Sequence, residues 1–259
     1  MLRIVVLLKL VPDVGELKFD PVKKTIIREG VRSMTNSFDR RAVEESLRIK
    51  EKHGAHITAI TMGPPQAEDM LREAVALGVD EAILLSDRAF AGADTLATSY
   101  TLSVAVRKLG FDLIMGGKFS LDAETGQLIP ELAELVGGNL ATNVTMEQYM
   151  GDGVFSVTRE VEDGTESLEV GIPAVMSVSE KINRVRPASS EGRERAKTFQ
   201  ITRWTASDLD GDSSRFGSSG SPTRVISLYD SSYGREPRVF DAAGGSGRPW
   251  TPLSTLLKG

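Results

Sequence analysis

Through the first half of the chain, short apolar runs alternate with helix-patterned segments, and this alternation constrains the fold more than any other feature. The runs span residues 3–10, 55–62, 82–85 and 112–115. They are continuously apolar and rich in β-branched residues, the pattern of strands buried on both faces. Between them, residues 40–52 place Ala42, Val43, Ser46, Leu47 and Ile49 on one helical face and stop at Gly54. Residues 66–77 align Ala67, Met70, Leu71 and Ala74 and stop at Gly78. A helix from Asp94 to about Leu109 turns Leu96, Ala97, Tyr100 and Val104 inward, and a last one covers 124–136. Strand–helix–strand spacing of this kind predicts right-handed crossovers and an α/β fold with a doubly wound, mostly parallel sheet.

After Gly137 the texture changes. Residues 142–147, 154–161, 167–170 and 174–178 are β-rich and split by Gly-Asp turns, which predicts a β-meander extension leading back to the sheet. A smaller hairpin is expected over residues 19–28, turning at 21–24. Residues 184–197 read as an exposed loop running into a short helix. From Thr205 the chain is rich in Ser, Gly and Asp and cannot build its own core. Leu209, Phe216, Val225, Leu228, Val239 and Phe240 then predict an extended C-terminal arm lying on another subunit. The expected division is a nucleotide-binding domain over 1–200 and the arm over 201–259.

The chain has 259 residues, no cysteine, two histidines and a formal charge of −5. Thiolate chemistry, iron–sulfur ligation and disulfides are excluded. The negative charge gives no case for nucleic acid, and His53 with His56 makes a poor metal site. Met1 to Leu10 reads as a first strand, not a signal peptide, and no apolar run reaches the roughly 20 residues of a membrane span. The expected location is the cytoplasm. Glu44/Glu45 and Glu131/Glu134 read as solvated helix faces. Neither Gly-x-Gly-x-x-Gly nor a P-loop is present. What remains is a set of Gly/Thr/Ser/Asp clusters, 92–99 and 116–127 above all, at the carboxyl ends of the predicted strands, where such sheets bind ligands. Helix starts suit phosphate, and Thr95, Thr98, Ser99, Ser120 and Thr125 can donate to its oxygens. Asp94 and Asp122 would repel phosphate and serve as caps or as acceptors for a ribose or adenine. Asn36, Ser37 and Asp39 are capable N-caps.

Several motifs, spread over nearly the whole chain, carry a resemblance. They are Lys9-Leu10-Val11-Pro12-Asp13, Asn36-Ser37-Phe38-Asp39 before Ala42-Val43-Glu44-Glu45, Met62-Gly63-Pro64-Pro65, and Leu71-Arg72-Glu73-Ala74. Residues 92–99, 120–127, 186–197 and 217–225 continue the series. Together they resemble the small (beta) subunit of electron-transfer flavoproteins, the family that includes the FixA proteins. The resemblance implies an adenine nucleotide alpha-hydrolase-like sheet and a heterodimer with a larger alpha subunit that carries FAD. Some beta subunits hold AMP. The electron-bifurcating group holds a second FAD, reduced by NADH, and residues 92–99 with the Gly-Ser-Pro-Thr-x-Val segment are similar to that group. FAD is thus the expected cofactor, with AMP the alternative. One electron would pass through the alpha subunit to a quinone oxidoreductase or acyl-CoA dehydrogenase, the other to ferredoxin or flavodoxin. Asp94, Thr95 and Thr98 would sit near phosphates. Asn36, Asp39, Met62, Gly63, Ser120, Asp122, Thr125, Gly126 and Gln127 would line the adenosine and phosphate pocket, with Leu8, Lys9, Gly92 and Gly116 completing the set. No side chain is expected to act as a catalytic base. AMP-holding members carry an aliphatic docking anchor in the loop matching residues 189–195; this chain has no leucine there.

Overall fold

A computed structural model describes residues 1–13, 18–20, 25–27, 33–224 and 226. Among the described residues, nine strands form one sheet, in the order β11 (Gly164–Gly171), β10 (Val154–Val161), β9 (Asn139–Gly151), β12 (Ala174–Val178), β8 (Leu113–Gly117), β1 (Leu2–Leu7), β6 (Ala55–Met62), β7 (Glu81–Leu85) and β13 (Thr202–Trp204). Its parallel heart comprises β1, β6, β7, β8 and β12. Both faces of these strands are covered, as their unbroken apolar sequences require. Ile4 and Val6 face one core with Leu47, Ile57, Leu71 and Phe155. Val5 and Leu7 face the other with Ile60, Tyr100, Ile114 and Leu132. Helices α1 (Ser37–His53) and α2 (Glu68–Leu77) cover the first face, and α3 (Thr95–Leu109) and α4 (Leu128–Val136) the second. Gly54, Gly78 and Gly110 follow α1, α2 and α3 at positive φ, which closes each helix where expected.

The meander β9 (Asn139–Gly151), β10 (Val154–Val161) and β11 (Gly164–Gly171) is antiparallel, as predicted. It is continuous with the main sheet, because β12 returns between β8 and β9 and pairs with both in parallel. The hairpin is present as β3 (Lys18–Asp20) against β4 (Thr25–Ile27), apart from the main sheet, and its turn lies outside the described residues. β2 (Leu10–Pro12) pairs with β5 (Ser33–Thr35).

Several expectations are corrected. The first strand stops at Leu7 because the Lys9 N–H donates to Asp39 Oδ2 at 2.8 Å, drawing the chain out of the sheet. Leu96, on the first turn of α3, is 39% exposed and does not face the core. The helix placed at 124–136 starts at Leu128, since Glu124 (φ 51°) and Gly126 (φ 64°) take left-handed conformations that a helix cannot include. His56 lies within β6, its Nε2 3.4 Å from Glu81.

Glu44 and Glu45 are buried, not solvated. Glu44 accepts hydrogen bonds from Arg48 Nε (2.9 Å) and from the backbone N–H (3.1 Å) and Nε (2.9 Å) of Arg186. Glu45 accepts from Asn183 Nδ2 at 2.7 Å. The loop before α5 (Ser190–Thr198) is therefore fastened to α1.

Leu209 and Phe216, expected on an arm reaching another subunit, are buried in the chain's own second core. β13 (Thr202–Trp204) extends the sheet beside β7, and Phe216 packs edge-on against Phe90 at 5.4 Å between ring centres. Val225, Leu228, Val239 and Phe240 lie outside the described residues.

Candidate functional site

The carboxyl ends of β1, β6, β7 and β8 open into one cleft of about 1160 Å³. Four groups of residues from distant parts of the sequence meet there. Leu8 and Lys9 leave β1, with Asn36 and Asp39 at the start of α1 beside them. Met62 and Gly63 end β6. Gly92, Asp94, Thr95 and Thr98 come from the entry to α3. Gly116, at the end of β8, is followed by Ser120, Thr125, Gly126 and Gln127 on the loop to α4. Of the residues expected at the site, Asp122 and the buried Ser99 are not part of this lining.

Asp39 organises the floor. Its Oδ2 accepts the Lys9 N–H and its Oδ1 the Gly117 N–H at 3.0 Å, so one carboxyl clamps the ends of β1 and β8. Burial pushes this carboxyl up to about 7, against the opposing effect of its hydrogen bonds and of Lys9. Gly117 permits the approach, because a Cβ there would lie 2.6 Å from Asp39 Oδ1. Asn36 precedes α1 but makes no side-chain cap. Its Nδ2 donates to the Phe119 carbonyl at 2.9 Å, and its Oδ1 accepts the Leu121 N–H at 3.4 Å, which pins the loop after β8. Neither Asn36 nor Asp39 spends its side chain on capping.

The charged groups of the two Gly/Thr clusters are also engaged. Lys9 Nζ donates to Ser120 Oγ (3.0 Å) and Asp122 Oδ1 (2.7 Å). Burial alone would raise the Asp122 carboxyl; hydrogen bonds from Lys9 and Ser120, with the charge of the Lys9 ammonium, together hold the group below its ordinary value. Asp122 thus positions Lys9 from outside the cleft and is not a cap. Asp94 does cap α3, its Oδ1 accepting the Ala97 N–H at 3.0 Å. Thr95 Oγ1 reaches across to α4, donating to Glu131 Oε1 at 3.1 Å, and Ser99 Oγ donates to Glu131 Oε2 at 2.9 Å. Glu131 is therefore a fastener between α3 and α4, not a solvated acid.

Other lining residues escaped the sequence reading. Gly117 ends β8 and Lys118 and Phe119 follow it; all three fall within the 116–127 cluster but were not singled out there. Lys118 Nζ sits 5.0 Å from the Phe38 ring centre and 5.2 Å from that of Phe119. Arg88 and Phe90 line the wall after β7, and Thr223 reaches it from the far end of the described chain. Thr223 belongs to the Gly-Ser-Pro-Thr-x-Val segment, which the sequence placed on the arm and not at the site.

The cleft combines apolar walls (Leu7, Ile60, Leu102, Ile129) with Gly-lined turns, hydroxyls and a helix start. Such a surface can seat a flat ring system and an anionic tail. Among the described residues no cluster of His, Cys, Asp or Glu could hold a metal ion, and no helix is long and apolar enough to cross a membrane.

Comparison with known proteins agrees with this arrangement. The electron transfer flavoprotein domain matches residues 23–209. The electron transfer flavoprotein subunit beta of Clostridium acetobutylicum is 45% identical over 224 residues, 86% of each chain. Subunit CarD of the caffeyl-CoA reductase-Etf complex of Acetobacterium woodii is 41% identical over 230 residues, covering 88% of this chain and 87% of that protein. Protein FixA of Azorhizobium caulinodans is 37% identical over 236 residues, covering 88% and 84%. Matched across most of its length by this domain and by relatives of these names, the chain belongs to the electron transfer flavoprotein family, as a beta subunit of the FixA-like group.

Proposed function

We propose that this chain binds FAD in the cleft at the carboxyl edge of its sheet and, paired with an electron transfer flavoprotein alpha subunit in the cytoplasm, takes electrons from NADH for bifurcation. The observation that carries the reading is the cleft itself. At about 1160 Å³ it has room for a ligand of dinucleotide size. Its chemistry fits: free hydroxyls and a helix start near Thr98, tight glycine turns at Gly63, Gly116 and Gly126, and apolar walls between them. The names of the FixA and CarD relatives point the same way.

Bound FAD would supply the two-electron and one-electron chemistry that no side chain here provides. The protein's residues bind, orient and exclude water. The N–H groups of the first turn of α3 that Asp94 does not take, and the Thr98 hydroxyl, would face the phosphates. Asn36, Asp39, Met62, Gly63, Ser120, Thr125, Gly126 and Gln127 enclose the adenosine end, and Lys9 is held at the rim by Asp122. Electrons would leave through the alpha subunit toward a quinone oxidoreductase or acyl-CoA dehydrogenase, and separately to ferredoxin or flavodoxin.

Co-production with the alpha subunit followed by flavin and nucleotide counting tests the cofactor. Two FAD per heterodimer are expected; one FAD with one AMP would replace this reading with a carrier that holds AMP structurally. NADH-dependent reduction of ferredoxin or flavodoxin by the complex tests bifurcation. Thr98→Val should lower the FAD content of the beta site, and full occupancy would remove Thr98 from the phosphate contacts.

A further inference from the structure

Beyond β13, two buried side chains fix the path of the chain: Leu209, and then Phe216 against Phe90 and Tyr100. From Phe216 the chain turns back across the loop that precedes α3. Gly217, at φ 52°, passes so close to the Ala89 and Ala91 carbonyls that any Cβ would overlap them. The Ser218 N–H donates to the Ala91 carbonyl at 2.9 Å. Ser221 Oγ accepts the Asp94 N–H at 2.8 Å and donates to the Gly217 carbonyl at 2.8 Å. The run ends at Thr223, which lines the cleft. Its N–H and Oγ1 both donate to Asp94 Oδ2, at 3.2 and 2.8 Å.

Asp94 therefore serves two elements at once, with one oxygen on the first turn of α3 and the other on Thr223. We propose that residues 217–223 are a strap completing the α3 end of the cleft, that Asp94 is its clasp, and that ligand binding and strap seating stabilise each other. The inference rests on the reading that the cleft holds FAD. A ligand shifts such an equilibrium only by its differential affinity for the two states. Here that difference arises because the clasped form supplies Thr223 as one wall of the cleft and fixes the Asp94 carboxylate by both oxygens, while the unclasped form lacks that wall. By linkage, whatever seats the strap tightens the ligand, and the reverse. Thr223 is then a positioning residue.

The test uses the full-length heterodimer and amide hydrogen exchange resolved on beta-chain peptides covering 217–223, with FAD titrated into the beta site. In the wild type, FAD should slow exchange in these peptides. Thr223→Val should speed exchange in the absence of FAD and weaken FAD binding about tenfold, and Thr223→Ser should restore both. Weaker FAD binding with unchanged exchange would make Thr223 a direct ligand contact and overturn the clasp. Unchanged exchange and unchanged affinity would overturn the strap while leaving the FAD reading intact. No FAD binding to the wild-type beta site would overturn that reading and the strap with it.

Discussion

Replacing Asp39 with asparagine isolates one buried charge. The side chain is 6% exposed, and its carboxyl is pushed up to about 7 from an ordinary 3.8. In the unfolded chain the proton leaves near the ordinary value; in the folded protein it leaves near neutrality. Between those limits the folded state binds more protons, so stability falls as pH rises. The contribution is fully present below about pH 4, falls as pH rises through about 7, and is constant above about pH 8. At about 1.4 kcal/mol per pH unit the whole gap amounts to about 4 kcal/mol, of which about 2 kcal/mol falls between pH 5 and 7. The amide of the Asp39→Asn variant cannot titrate, which removes this dependence. It keeps one acceptor oxygen, so either the Lys9 or the Gly117 N–H loses its partner, a cost of about 1–3 kcal/mol that does not vary with pH. Urea unfolding of both proteins from pH 5 to 8, followed by tryptophan fluorescence, measures the difference. The variant should gain on the wild type by about 2 kcal/mol between pH 5 and 7. A difference that stays flat across the range would refute the reasoning, because it would mean that the two N–H donors compensate the buried charge completely.

Two further substitutions test the packing. Glu44→Ala removes a buried acceptor from Arg186 and Arg48, which are 34% and 44% exposed and keep Glu51 and Glu45 as partners, so it should cost about 1–3 kcal/mol in the same unfolding assay; a loss below about 0.5 kcal/mol would return Glu44 to the solvated surface. Phe216→Ala should cost about 3–5 kcal/mol, whereas a segment not folded onto its own domain would lose almost nothing.

The sheet was legible because its causes are local. Runs such as Ala55–Met62 must be buried on both faces wherever they lie, and Gly54, Gly78 and Gly110 close helices through their own φ angles. The position of the cleft followed from topology alone, since strand order brings the carboxyl ends together. Where the reading failed, the cause lay elsewhere in the chain. Glu44 is buried by Arg186, 142 positions away, and nothing in the local helical pattern separates such a glutamate from a solvated one. The segment after Thr205 is polar in composition, yet two well-placed apolar side chains and a set of backbone hydrogen bonds dock it. Composition averages over the very residues that decide.

The acids of the cleft show what this difference means for function. From sequence, Asp94 and Asp122 are awkward neighbours for phosphate, since an unpaired carboxylate would repel it. Each instead spends its charge inside the protein: Asp122 on the Lys9 ammonium, Asp94 on the Ala97 N–H and on Thr223. Both carboxyls are held below their ordinary values, so both stay ionised near neutral pH, and burial works against this in each case. Thr95 is likewise committed, to Glu131. Of the residues placed at the site for their hydroxyls, Thr98 and Thr125 line the cleft, and their hydroxyls make no hydrogen bond among the described residues. The acids of the two clusters are organisers, and the donors left over are the groups that can recognise an anion. Of the two acids only Asp122 meets a cation, Lys9, so near the ionised Asp94 at the start of α3 a phosphate depends on hydroxyl and backbone donors such as Thr98.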